Sequence, residues 1–205
     1  MPRNRNPLNQ PSTKEKIFHI AVELFYESNY ENVSIRDIAK AADVKIPTIY
    51  NHFESKEDIL KSLYDFFDKH WKATATDVDT VLHLVETEAP HALLMRSYFA
   101  FDPAVEQTMS RIISIAARDI NFERSQRFIK EKLLDKITDF FKPLLERMIE
   151  LERIEPLDVD TFICVYKHYA FSAAFLDGTP FQIGLENWLA GMEMLFSLVK
   201  SRVQV

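Results

Sequence analysis

The stretch VKIPTIYNHFESK, residues 44 to 56, places hydrogen-bonding groups at close intervals between apolar side chains. Val44, Ile46, Ile49 and Phe53 have the spacing of core anchors, which leaves Lys45, Pro47, Thr48, Tyr50, Asn51 and His52 available to face outward. An ammonium, a hydroxyl, a phenol, a carboxamide and an imidazole side by side offer no convincing nucleophile with its base. They form a face built to meet another polar surface through hydrogen bonds.

The elements that must hold this face can be read on either side of it. Three [ST]-x-x-[DE] start signals, Ser12 with Glu15, Ser34 with Asp37 and Ser55 with Asp58, each precede an apolar run of helical period. The first helix has Ile17, Ile20, Ala21, Leu24 and Phe25 on one stripe, and the second, short, is expected to bury Ile35, Ile38, Ala39 and Ala42. The third start opens a long helix with Ile59, Leu60, Leu63, Phe67 and Trp71, running to about Thr76. Between the second and the long helix, Pro47 suits a first helical turn, so residues 46 to 52 read as one more short helix after a tight turn at Ala42 to Lys45. This is a helix-turn-helix, in which the second helix lies in a major groove and the first braces it. Ala39, Asp43 and Ile49 occupy the crossing, turn and anchor positions, and the polar neighbour of the outward face is then DNA.

Composition removes other classes. The only glycines are Gly178, Gly184 and Gly191, so no Gly-rich phosphate cradle, dinucleotide G-x-G-x-x-G or G-x-S-x-G turn exists, and an all-α chain fits best. A single cysteine, Cys164, excludes an intramolecular disulfide framework and a cysteine zinc site. The longest stretch free of acidic and basic residues, His168 to Leu176, is far short of the ~18 residues of a membrane span. No secretory-type apolar run opens the chain, and a cytoplasmic location is expected. The formal charge of −6 argues against nucleic acid only until its distribution is read: residues 1 to 64 carry nine basic and nine acidic side chains, so the whole excess lies beyond them.

The segment IAVELFYESNYENVSIRDIAKAADVKIPTIYNHFESKEDIL resembles the DNA-binding region of the TetR family of bacterial transcriptional regulators. The likeness rests on LF near the end of the first helix, IA…A…V in the second and P-T-I-Y-x-H-F…K in the recognition helix, and covers roughly residues 12 to 64. Two positions depart from it: Asn29 and Asp43 stand where the family usually has glycine, and both residue types tolerate left-handed backbone. The resemblance implies base readout by Arg36, Lys45, Ile46, Pro47, Thr48 and Asn51, with Ser34, Tyr50, His52 and Lys56 on phosphates. It also implies an all-α fold with a helix-turn-helix domain over 12–64 and a larger effector-binding and dimerisation domain over 65–205. Ahead of these, Pro2, Pro7 and Pro11 among Asn and Arg read as a mobile arm over 1–11, with Arg3 and Arg5 either reaching a minor groove or, as the stronger alternative, part of a solvated tail. The partners the resemblance implies are operator DNA, a small and hydrophobic effector, and a second copy of the chain, with no cofactor and no metal.

In the larger part, helical runs break near Ala89-Pro90, Asp102-Pro103, Asp119 to Asn121, Glu155-Pro156 and Asp177 to Pro180, and Pro143 should kink the run from Glu123 to Glu152. Tyr98, Phe99, Phe128, Phe162, Tyr166 and Tyr169 are candidates to line an effector pocket, although aromatics at helical spacing are also ordinary core. The apolar C-terminal helices offer Ala173, Trp188, Met192, Leu195, Phe196 and Val199 for a dimer face, against intramolecular packing as the alternative. The rival from another class is a helical-bundle metal enzyme, for which only one Glu-x-x-His, Glu88 to His91, is present, interrupted by Pro90. Cys164 and His168 are four apart on one helix; a buried thiol beside an ordinary histidine outweighs a shared metal. A regulator of this kind without a small-molecule effector is the remaining alternative.

Overall fold

The structure, a computed structural model, describes residues 11–74, 77–95, 103–172, 190–191, 194–197 and 199. Nearly all of the expected arm and the break at Asp177 to Pro180 lie outside these residues. The chain divides into two compact units, Met1–Phe67 and Asp68–Val205. Every regular element among the described residues is a helix.

The first unit contains α1 (Thr13–Ser28), α2 (Ile35–Ala41) and α3 (Ile46–Tyr50), and α4 (Lys56–Thr74) supplies residues to both units. All three start signals act as caps. Ser12 Oγ accepts from the Glu15 N–H at 3.2 Å while the Glu15 carboxylate accepts from the Ser12 N–H at 2.7 Å, and Ser34 with Asp37 repeats the pattern at 3.2 and 2.9 Å. Ser55 accepts from the Asp58 N–H at 3.0 Å, but Asp58 reaches one residue further back, to the N–H of Glu54. Inside, α1 buries Ile17, Phe18, Ala21, Val22 and Phe25, with the Phe18 ring 5.1 Å from that of Phe66. The buried face is therefore rotated from the expected stripe: Ile20 and Leu24 are only half-buried, and so is Ile35 on α2.

The second unit comprises α5 (Val78–Leu82), α6 (Pro90–Met95), α7 (Pro103–Arg118), α8 (Glu123–Phe128), a π-helical segment (Ile129–Leu134), α9 (Asp135–Glu150) and α10 (Val159–Ser172), with the later part of α4. Pro90 and Pro103 open their helices, where a missing N–H is tolerated. The run from Glu123 departs from regular α geometry at 129–134, and α9 is helical through Pro143, so the irregularity sits upstream of the residue expected to cause it. The core forms where α9 presents Ile137, Phe141, Leu144, Leu145 and Met148, with Phe141 in ring contact with Phe162, Tyr166 and Phe196 at 6.4, 4.3 and 5.9 Å. Arg153 donates to the carbonyls of Glu86 and Glu88 at 3.1 and 2.9 Å, which ties the end of α9 to the connection between α5 and α6.

Asp68 collects three ammonium groups, those of Lys72 at 2.7 Å, Lys136 at 2.8 Å and Lys132 at 3.6 Å. Burial alone would raise its pKa; hydrogen bonds from Lys136 and Lys72, with the charges of Lys136 and Lys132, outweigh this and hold the carboxyl well below the usual range. Because the folded value is depressed, the stabilisation is complete above the unfolded value of about 4 and is lost as pH falls further. Asp68→Asn is expected to lower unfolding free energy at pH 7, with the deficit shrinking below about pH 4, as followed by denaturant titration across pH. A deficit constant down to pH 2 would assign the loss to packing.

Candidate nucleic-acid interface

The outward face depends on how α2 stops and α3 starts. At the end of α2 the N–H of Val44 bonds to the Ala39 carbonyl at 3.0 Å and that of Asp43 to the Lys40 carbonyl at 3.2 Å. This is a Schellman closure, with Asp43 at φ 52° in the position that usually holds glycine. Ala39 and Ala42 are buried, and their small side chains let the turn close against α3. α3 has five residues, with Lys45 as an N-cap that makes no side-chain capping bond and Pro47 in the first turn. Its one buried residue is Ile49, at 0% exposure, and Phe53 follows it into the core.

With Ile49 inward, the rest of α3 turns out. Lys45, Pro47 and Asn51 are exposed, Ile46 is 37% and Tyr50 54% exposed, and Thr48 and His52 are half-buried. Ile46, which has the spacing of a core anchor, is on the outside, and Val44 is only half-buried. On α2, Arg36 and Ser34 are exposed. Ser34 Oγ donates to the Asp37 carboxylate at 2.6 Å, and its side-chain and backbone hydrogen bonds hold Asp37 below its ordinary value, so the cap stays anionic at the helix start. A guanidinium, a carboxamide, an ammonium and a phenol on one short surface suit the donor–acceptor pattern of base edges and the oxygens of a phosphate backbone.

A sequence profile of bacterial regulatory proteins, tetR family, matches residues 17–63, the span from the first buried residue of α1 into α4. This segment belongs to the tetR family. The "Probable HTH-type transcriptional regulator YttP" of Bacillus subtilis (strain 168) is 34% identical over 73 residues, 34% of this chain and 35% of that protein. The "Biofilm operon icaADBC HTH-type negative transcriptional regulator IcaR" of Staphylococcus aureus (strain Newman) is 36% identical over 59 residues, 27% of this chain and 32% of that protein. The match thus spans about a third of the length of these curated relatives. Among solved structures, AibR in complex with isovaleryl coenzyme A and operator DNA shares the fold, with a TM-score of 0.61 at 16% identity, over 90% of this chain and 98% of that one.

The ammonium of Lys56, expected on a phosphate, has acceptors within the tetR-family segment itself. It donates to the carbonyls of Tyr30 and Val33 at 2.9 and 3.0 Å and lies 4.2 Å from the centre of the Tyr30 ring. No local spacing signals this, because the acceptors are backbone atoms 26 and 23 residues away.

In the second unit, Tyr98 and Phe99 lie outside the described residues. Phe128, Phe162 and Tyr166 are buried, the last two packed on Phe141, and Tyr169 is half-buried with its ring so close over Gly191 that a Cβ there would overlap it. Ala173, Trp188 and Met192 are likewise outside the description. Leu195, Phe196 and Val199, expected between two copies, are buried within the chain itself; Phe196 stacks on Tyr166 at 6.0 Å because the apolar stripe of its helix faces the bundle. Cys164 is exposed, which corrects the expectation of a buried thiol, and His168 Nδ1 lies 2.7 Å from the Cys164 carbonyl oxygen and 3.7 Å from its sulfur. Among the described residues no three metal-binding side chains come together.

Ile49→Ala should cost about 2–5 kcal/mol in the first unit, the usual range for truncating a buried Ile, and should weaken any DNA complex beyond what an exposed-face change does. Thermal unfolding of the variant checks it; a loss under about 0.5 kcal/mol, the surface range, would mean that α3 is held by something else.

Proposed function

We propose that the chain is a transcriptional regulator that binds a pseudo-palindromic operator as a homodimer, most simply as a repressor released by a small hydrophobic effector. The observation that carries the reading is the face of α3: Lys45, Ile46, Pro47, Tyr50 and Asn51 exposed over the buried Ile49, next to exposed Arg36 and Ser34 on α2, all within the span of the tetR-family profile. In this reading Arg36, Lys45, Ile46, Pro47, Thr48 and Asn51 meet base edges, with Ser34, Tyr50 and His52 on phosphates.

A five-residue recognition helix spans too few base pairs to select a site alone. Two copies, with half-sites about 34–36 Å apart, double the readout. The repressor assignment draws on the negative regulator IcaR, and the effector on AibR, whose solved complex holds isovaleryl coenzyme A with DNA. The Phe-rich second unit supports an apolar ligand, while the close packing of Phe162 and Tyr166 on Phe141 supports the reading without an effector. No helix among the described residues is long and apolar enough to cross a membrane, consistent with work on DNA in the cytoplasm.

The experiment is a footprint of the purified chain on the DNA flanking its own gene, with sedimentation at the same concentration and with short acyl-coenzyme A thioesters added in parallel. A dimer protecting an inverted repeat, with protection lost on adding a thioester, is the expected result. A monomer giving a single half-site footprint would overturn the dimer, and protection untouched by thioesters would favour the effector-free reading.

A further inference from the structure

The ammonium of Lys56 is held by the fold before any partner arrives. Lys56 is the first residue of α4, and Ile59, Leu60 and Leu63 behind it are buried, so the base of its side chain is fixed by packing. Its tip closes the Tyr30–Val33 turn, in which the Val33 N–H also bonds to the Tyr30 carbonyl at 3.3 Å. Tyr30 and Val33 are buried, and the Tyr30 ring packs edge-on against Phe25 at 5.1 Å.

The turn needs such a brace. Asn29, which enters it, has φ 65° and ψ 151°, outside the left-handed helical region that Asn tolerates and in territory adopted almost only by glycine. Asp43, the other residue standing where the resemblance expects glycine, has φ 52° and is closed by a Schellman pair; the turn after Asn29 is closed by the ammonium. Immediately after Val33 comes Ser34, the cap of α2, and two residues later Arg36.

We infer that Lys56 is a positioning residue for DNA recognition: it sets the start of α2, and through it Arg36 and Ser34, by clamping the Tyr30–Val33 turn that follows the strained Asn29. The inference rests on the DNA-binding reading for its consequence, whereas the clamp itself belongs to the free protein.

Two measurements on the full chain separate these. In DNA-free protein, Lys56→Met should speed hydrogen exchange at the amides of Val33, Asp37 and Ile38 roughly tenfold or more, the effect of losing a charge-assisted bond, with those of Asn51 and Phe53 unchanged. Lys56→Arg, which keeps both charge and donors, should restore most of the protection. On the duplex protected in the footprint, the Met variant should bind more weakly with an unchanged slope of log affinity against log salt, and with its largest loss at the base pair that Arg36→Ala also relaxes. A lost phosphate contact would instead lower the slope by about 0.9 and weaken all sequences alike. Unchanged exchange together with that lower slope would overturn the clamp. If the Met variant does not fold, Lys56→Gln, which keeps a donor at shorter reach and gives up the charge, is read by the same two criteria. Absence of any protected duplex for the wild type would count against the DNA reading and leave the exchange result to decide the clamp.

Discussion

The burial of Ile49 is the constraint on which the recognition face depends. A helix of five residues cannot hold itself in water, since nucleation costs more than so few hydrogen bonds return. What holds α3 is one side chain at 0% exposure, continued by Phe53, over a crossing kept narrow by Ala39 and Ala42. Once Ile49 points in, helical geometry fixes where its neighbours point, and Tyr50 and Asn51 emerge on the opposite side. The polar face follows from apolar packing, which sets the directions of its side chains.

Around that anchor the chain solves a problem posed by its composition. With three glycines in 205 residues, all beyond residue 177, its tight turns must place other residues at positive φ, and Asn29, Asp43 and Glu152 do so among the described residues. Each is secured differently. Asp43 and Glu152 sit in Schellman closures, the latter completed by the Arg153 N–H on the Met148 carbonyl at 2.8 Å. The turn after Asn29 is closed by a side chain from a later helix. Capping carboxylates at Glu15 and Asp37 and cations on backbone carbonyls at Lys56 and Arg153 thus perform complementary tasks, satisfying donors at helix starts and acceptors in turns.

Local signals were legible in the sequence, and long-range ones were not. The three Ser-x-x-acid starts, the breaks at Pro90 and Pro103, and the turn between α2 and α3 depend on residues within a few positions of one another, and each was readable. The all-α class followed from glycine scarcity and helical period. The direction of Lys56 depends on carbonyls more than twenty residues away, and the pairing of Asp68 on Lys132 of the π-helical segment and Lys136 of α9, more than sixty residues on. Periodicity gave α1 a stripe but not its centre, because Phe18 and Val22 compete with Ile20 and Leu24 for the same core and only the partner surface decides. The same limit applies to Leu195, Phe196 and Val199: an apolar stripe states that something covers it, and here the covering surface is the chain's own bundle.

The central claim is that the side chains raised by Ile49 read bases. It is tested most directly by profiling the binding of Asn51→Ala and wild-type protein across an operator substituted one base pair at a time. Asn51→Ala should relax preference at one symmetry-related pair of positions, by about 1–3 kcal/mol each, with the remaining profile and the salt slope intact. A uniform weakening at every position, or a profile superimposable on the wild type, would contradict it.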